Sequence, residues 1–372
     1  MITPRSGFVP LATRPGGPHG RGWAVWHRDC VVSTPNERSG TSIGIEFSDA
    51  GLEVGVVALL GQVEDLLRDT VTSADRLVAT AARHLVDAGG KRFRPLLVAL
   101  AAQFGPQPQA LDVVKAAGVV ELTHLATLYH DDVMDEAQVR RGAPSANSRW
   151  GNAIAILTGD YLFACAADLA AELGVEAVRI QAATFSRLVH GQISETSGPR
   201  DGEDPTGHYL RVIEQKTGSL IATSARFGAM FSGAGPAEVA ALAGYGETIG
   251  IAFQLSDDLL DIASESEQSG KTPGTDLREG VPTLPVLYAM SSTETDAGSV
   301  RLREILSAGP VTDDALHAEA LGLLRESVAL KRARETVRSY AERARTSLGV
   351  LPELPARRAL ESLCDFIVDR TG

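Results

Sequence analysis

The stretch "ALDVVKAAGVVELTHLATLYHDDVMDEAQVRRG", residues 110–142, carries the reading of the whole chain. Apolar residues recur at three- and four-residue spacing through most of it, which predicts a long helix. At the far end, Asp131, Asp132, Asp135 and Glu136 crowd together, and Arg140 and Arg141 follow after one more expected helical turn. Asp131 and Asp135 are four apart, so on a helix they share a face with Cβ atoms about 6 Å apart. Asp132 turns away from that face by roughly 100° and supports from the side. A soluble helix that gathers acids in this way repels itself unless a cation is shared between them.

Outward from this stretch the chain reads as helix almost everywhere. "SADRLVATAARHLVDAGG", "NAIAILTGDYLFACAADLAAELG", "HYLRVIEQKTGSLIATSARFGAMFSG" and "PAEVAALAGYGETIGIAFQLSDDLLDIAS" share the same spacing, and alternating strand patterns are almost absent. The expectation is one all-α domain over residues 51–372, with several helices apolar on more than one face, as in the middle of a bundle. Residues 1–50 are rich in Gly, Pro and Arg and lack either period; they read as a disordered extension, with Trp23 and Trp26 its only docking hint. Two loops interrupt the helices, at 196–207 and 265–282.

Composition narrows the function. The 372-residue chain has a net charge of −12 and no long basic stripe, which argues against nucleic-acid binding. Cys30, Cys165 and Cys364 are scattered and odd in number, so they form neither a disulfide framework nor a zinc spacing and suit a reducing cytoplasm. No signal peptide is evident, and no uninterrupted apolar run reaches the ~18 residues of a membrane span.

The DDxxD spacing recurs as Asp257, Asp258 and Asp261 in "FQLSDDLLDI", again on an apolar helix. One copy alone is equally well a solvated acidic face. Two copies facing each other across a bundle predict magnesium, which takes one or two carboxylates and completes its shell with water and phosphate oxygens. Basic residues complement them. "DAGGKRFRP" ends one helix at Gly89-Gly90 and places Lys91, Arg92 and Arg94 in the turn before Pro95. Arginine forks match phosphate oxygens bidentately, so two anionic substrates are expected, one held through metal and one by side chains alone.

At these residues the chain resembles the trans-isoprenyl diphosphate synthase, or polyprenyl synthetase, family. The resemblance runs from about residue 52 onward and is carried by "GGKRFRP", "THLATLYHDDVMDEAQVRRGAPSAN", "LTGDYLF", "EQKTGSL", "GIAFQLSDDLLD" and "GKTPGTDLREGVPTLP". It implies an all-α homodimer around a deep cavity that joins an allylic diphosphate head to tail to isopentenyl diphosphate. It also implies about three Mg²⁺ ions. By this carry-over Asp131 and Asp135 hold metal on one side and Asp257 on the other. Asp132, Asp258 and Asp261 support them, with Asp261 a further candidate ligand. Arg140, Lys216 and Lys271 touch the allylic diphosphate, while Lys91, Arg94, His124 and Arg141 hold isopentenyl diphosphate. Lys216-Thr217 and Gln254 set carbonyl, hydroxyl and amide dipoles beside the developing carbocation. One departure stands out: the family usually has lysine where this chain has Val281.

Product length should depend on what lies beneath the first cluster. Thr127 is one turn below Asp131, Thr123 two, and Val120 about three, roughly 16 Å down the axis. In the family, short-product members commonly carry Phe or Tyr at the positions of Ala126 and Thr127. Both are small here, so the expectation is a product longer than geranylgeranyl, released with transient membrane contact. Tyr161 or Phe163 on the neighbouring helix are candidates for closing the tunnel lower down. The alternatives are a geranylgeranyl diphosphate synthase, a class I terpene cyclase, or a non-catalytic partner subunit of a heteromeric synthase. The second DDxxD and "GGKRFRP" speak against the cyclase, and the retained acids against the partner subunit.

Overall fold

Helix starts along the chain are marked by short acids. Asp49 accepts the Leu52 amide at 2.7 Å and opens α1 (Ala50–Thr70), and Asp75 does the same for α2 (Arg76–Asp87). In this computed structural model residues 47–263 and 273–371 are described. The expected extension up to residue 46 and Lys271 in the second loop lie outside the described residues.

After α3 (Phe93–Ala102) comes α4 (Leu111–Met134), the helix of the opening stretch. It packs against α1, α3, α6 (Asn152–Leu173) and α9 (Ser219–Phe231), so it is covered on most sides. That explains why its apolar residues wrap around rather than forming one stripe. Of all described helices, α6 is the one long and apolar enough to cross a membrane by length and composition, a property the run-length reading above did not register. In the structure it lies between α4 and α7 (Val175–Ser197) as a bundle helix. A short α5 (Ala146–Trp150) precedes it.

The chain leaves α4 sooner than expected. The helix ends at Met134, Glu136 takes φ 49, and Val139–Arg140 pairs with Ala143–Pro144 as a two-residue antiparallel ribbon. Arg141 (φ 53) and Gly142 (φ 75) form its turn, the left-handed pair that a tight hairpin requires. Arg140 and Arg141 therefore stand on a hairpin and not on a further helical turn. Acids at the negative end of a helix dipole oppose its continuation.

The segment expected as one helix over 208–233 is α8 (Pro205–Ile213), a π-helical turn (Glu214–Gly218) and α9. A 3.6-residue period cannot register the extra residue of an i→i+5 turn, and such turns gather at functional sites. Next comes α10 (Pro236–Ala263), packed on α9 and the π turn. Gly250 permits that approach. A Cβ there would meet Gly218 Cα at 2.9 Å and Ile221 Cβ at 3.1 Å. One turn further along α10 is Gln254, which the close crossing sets beside Thr217.

Within the described part of the second loop the chain forms α11 (Thr275–Glu279), bounded by Gly274 and Gly280 at φ 75 and 74. Its amides are capped by a distant carboxylate, that of Asp261, which local sequence does not reveal. The remaining helices are α12 (Leu284–Met290), α13 (Ala297–Ser307), α14 (Asp314–Glu326), α15 (Val328–Ser347) and α16 (Pro355–Asp369). Of these, α13 was not picked out from sequence. The core is continuous, with Tyr129, Phe227 and Tyr245 its largest fully buried side chains.

Replacing Gly250 by Ala forces α10 away from the π turn. Denaturant unfolding should show a loss of about 1–3 kcal/mol; wild-type stability would mean the crossing has slack.

Candidate active site

Between the ends of α3, α4 and α10 lies a cavity of about 320 Å³. Lys91, Arg94, His124, Thr127, Asp131, Arg141, Lys216, Thr217, Gln254 and Asp257 all line it, so most of the sequence candidates converge on one space. Ala126, Asp132, Asp135, Arg140, Asp258 and Asp261 are not among its lining residues, and each has a different place.

The cationic end is organised by a carboxylate that sequence reasoning missed. Glu121 on α4 is 2% exposed and accepts Arg92 Nη1 at 2.7 Å, with Arg141 Nη2 at 3.7 Å. Arg92 also pairs with Glu64 of α1 and donates to the Val86 carbonyl at 2.9 Å. These bonds hold Arg92 in the left-handed region (φ 48) at the start of α3. Arg141 reaches back from the hairpin to the carbonyls of Leu85 and Gly89. Gly90 must lack a side chain, since a Cβ at its φ of 148 would sit 2.9 Å from the Arg141 guanidinium carbon. A Cβ on Gly89 before it would meet no neighbour, and glycine is needed there instead for its left-handed backbone at φ 74. Burial lowers Arg94 to a pKa of about 10 against the pull of Glu121, and its Nε has no hydrogen-bond partner. Burial and four surrounding arginines push His124 well below the usual imidazole value, so it is neutral. Two carboxylates, Glu121 and Glu64, among three guanidiniums and Lys91 leave this end net positive, a seat for an anion.

At the opposite rim, burial raises Asp131 to about 6, with Lys216 opposing and Asp135 adding to the rise. Asp132 is fully buried and accepts Arg140 Nε at 2.6 Å, which ties the hairpin to α4. Its other oxygen is without a hydrogen-bond partner. Asp257 faces outward from α10 and meets Arg370 Nη2 at 2.8 Å. Asp261 accepts the amides of Thr275 and Asp276 at 3.2 and 3.1 Å, so its carboxylate caps α11. Burial lifts Asp258 to about 7. Val281 is exposed beyond α11.

The donor set across the cavity fits a hard divalent cation. Asp131 and Asp257 supply carboxylate oxygens from two helices, and among the described residues no group of three or more His, Cys, Asp or Glu side chains encloses a metal alone. An ion there must complete its shell with water and phosphate oxygens, as magnesium does.

The π turn supplies the middle of the cavity. Lys216 Nζ lies 2.5 Å from Glu195 Oε2 of α7, another acid the sequence reading passed over. The Thr217 hydroxyl donates to Gln254 Oε1 at 3.0 Å, and Gln254 Nε2 donates to Asp258 Oδ1 at 2.8 Å. The Tyr209 hydroxyl donates to the other Asp258 oxygen.

Thr127 and Asp131 also border a second, apolar cavity of about 380 Å³ between α4, α6 and α7. Its far wall includes Phe163 and Phe185, whose ring centroids are 4.3 Å apart, with His130 5.7 Å from Phe163. This apolar space lies between the helices, alongside α4 from Thr127 to Met134. Thr123 and Val120 are buried in the core, and Ala126 packs its carbonyl under Gly159. Tyr161 turns elsewhere and donates to the Thr72 carbonyl at 2.8 Å.

A helical bundle in which carboxylates and cations flank a cavity that continues into apolar space defines the isoprenoid synthase class. Residues 75–323 match the polyprenyl synthetase family, and the chain belongs to it. It is a prenyltransferase, a trans-prenyl diphosphate synthase. It is 53% identical over 88% of its length to the nonaprenyl diphosphate synthase of Mycobacterium tuberculosis, covering 97% of that protein. The geranylgeranyl pyrophosphate synthase of Corynebacterium glutamicum, solved with calcium and isoprenyl diphosphate, is similar in structure with a TM-score of 0.79 and 45% identity, covering 88% of this chain and 100% of that one. A decaprenyl diphosphate synthase from Rhodobacter capsulatus gives a TM-score of 0.77 at 33% identity, covering 87% and 99%. The family uses a divalent metal.

Removing the buried carboxylate leaves Arg92, Arg94 and Arg141 facing one another. Glu121→Ala should cost about 3–5 kcal/mol in denaturant unfolding, and an unchanged midpoint would show that Glu121 does not hold this end together.

Proposed function

We propose that this enzyme is a Mg²⁺-dependent homodimer that extends an allylic diphosphate with isopentenyl diphosphate to a product longer than geranylgeranyl. The carrying observation is the pairing of two cavities at Thr127 and Asp131, one charged at both ends and one apolar. An allylic diphosphate with its head at Asp131, Asp257 and Lys216 would lay its tail past Thr127 toward Phe163 and Phe185. Isopentenyl diphosphate would bind Lys91, Arg94 and Arg141 in the cationic end, with neutral His124 as a hydrogen-bonding partner.

Magnesium held by Asp131, Asp135 and Asp257, with Asp261 a further candidate, would offset charge on the leaving diphosphate. The residues do the rest. Lys216 gathers the diphosphate as the allylic C–O bond breaks, with Arg140 and Lys271 as further candidates. The Thr217 hydroxyl and the Gln254 amide oxygen lie beside the carbon that becomes cationic. The double bond of isopentenyl diphosphate then forms the new C–C bond. One proton leaves the adjacent carbon for the released diphosphate, restoring a double bond. Leu128, Leu188 and the aromatic wall exclude water that would quench the cation.

Three observations support the finer points. Thr127 is small where it joins the cavities, and the apolar space extends beyond it to the Phe163–Phe185 pair. The 53% identity to a nonaprenyl diphosphate synthase favours a long product over geranylgeranyl. Exposed Ile156 and Leu157 on α6 with Val178, Val189 and Ile193 on α7 form an apolar face that suits a second copy of the chain. We place the enzyme in the cytoplasm, touching a membrane transiently to hand over its product.

Purified protein with Mg²⁺, labelled isopentenyl diphosphate and geranyl, farnesyl or geranylgeranyl primers should yield products beyond geranylgeranyl. No elongation from any primer would overturn the reading, and products ending at geranylgeranyl would overturn its chain length. Thr127→Tyr should shorten the product with ionisation retained, whereas unchanged length would place the tunnel elsewhere. Asp131→Ala should lower the rate by about two orders of magnitude or more, and near-normal turnover would remove it from the diphosphate site.

A further inference from the structure

Asp258 directly follows an outward-facing aspartate, yet it points the other way. The residue is 8% exposed, and both carboxylate oxygens are engaged within the protein. Gln254 Nε2 donates to Oδ1 at 2.8 Å, and the Tyr209 hydroxyl of α8 donates to Oδ2. On its other side Gln254 Oε1 accepts the Thr217 hydroxyl at 3.0 Å. Every bond in this chain points toward Asp258. Tyr209 and Gln254 donate hydrogen bonds to Asp258 from opposite sides, and Thr217 donates one to Gln254.

The direction matters because a glutamine amide has two ends of opposite polarity that a half-turn exchanges. Asp258 accepts at both of its oxygens, so the end of Gln254 beside it is the NH₂ group. The oxygen is then left on the Thr217 side, where both residues line the charged cavity. The reversed amide would press its oxygen against a carboxylate oxygen and turn two N–H dipoles toward the cavity. A developing cation is stabilised only by dipoles already oriented when charge appears.

We propose that Asp258, backed by Tyr209, is a positioning residue that locks the Gln254 amide with its oxygen toward the cavity and so sets the sign of the dipole facing the allylic cation. This rests on the prenyl-transfer reading above and assigns Asp258 a task distinct from that of Asp257, which shares its motif. It also gives α8 a place in the chemistry, since Tyr209 comes from that helix and not from α10.

The test compares Asp258→Asn, Tyr209→Phe and Gln254→Ala with the wild-type full chain under saturating Mg²⁺. In Asp258→Asn an amide nitrogen replaces one acceptor and can donate to Gln254 Oε1, which favours the reversed amide. The expected result is a fall in kcat of about 10- to 100-fold. KM for both diphosphates and the half-saturating Mg²⁺ concentration should stay within about twofold. Tyr209→Phe leaves the Gln254–Asp258 bond and should show the same pattern, with a smaller fall of about three- to tenfold. Placed on Gln254→Ala, neither substitution should reduce kcat further, because nothing remains to be oriented.

Additive losses on that background overturn the proposal. So does an Asp258→Asn enzyme that loses Mg²⁺ affinity while keeping kcat, which would make the residue a metal ligand. If Asp258→Asn does not fold, the Tyr209→Phe and Gln254→Ala pair carries the same cycle alone. Wild-type protein that fails to elongate would overturn the functional reading instead, so the two failures are told apart.

Discussion

The buried contact between Glu121 and the arginines around it is the constraint from which the charged cavity follows. Three cations, two at the start of α3 and one on the hairpin, cannot share a low-dielectric space without a counter-charge. Glu121 provides it from the middle of α4, and in doing so draws Arg92 from the start of α3 and Arg141 from the hairpin. Arg92 in turn ties down Glu64 of α1. The balance is incomplete, and that incompleteness is useful. An excess of positive charge, with a neutral His124 beside it, is what an organic diphosphate needs when no metal serves it.

The opposite rim inverts the same logic. Asp131 is raised by burial and by Asp135, so its carboxylate is held in a place where a divalent cation would be welcome. The two ends of one space thus differ in charge, which is the asymmetry that the proposed head-to-tail condensation would require. Between them the π turn and the close crossing at Gly250 bring Thr217 and Gln254 together without any charge of their own. Neutral dipoles there avoid competing with the diphosphates for the same ions.

Much of this was legible in the chain. Period and composition were enough for the all-α bundle, because burial on several faces leaves an apolar pattern on the helix itself. The stretches "GGKRFRP", "THLATLYHDDVMDEAQVRRGAPSAN", "EQKTGSL" and "GIAFQLSDDLLD" together contain most of the residues that meet in the cavity. Less legible were partners whose role depends on distance. Glu121 reads as an ordinary acid in an apolar helix, and Glu195 and Tyr209 carry no motif signal at all. The hairpin after Met134 was hidden because Glu136 and Arg141 adopt left-handed backbone without being glycine.

The sequence by itself determined which elements are helices, which groups carry charge and how the acids are spaced along each helix, since these depend on neighbours a few residues away. Tertiary structure decided their directions. Asp257 and Asp258 are adjacent in the chain, yet one meets Arg370 at the rim while the other holds Gln254 and Tyr209 inside. The apolar cavity likewise lies between α4, α6 and α7, bounded by Phe163 and Phe185 from helices further along the chain. Spacing sets the angle between side chains on one helix; only the packing of other helices decides what each of them meets.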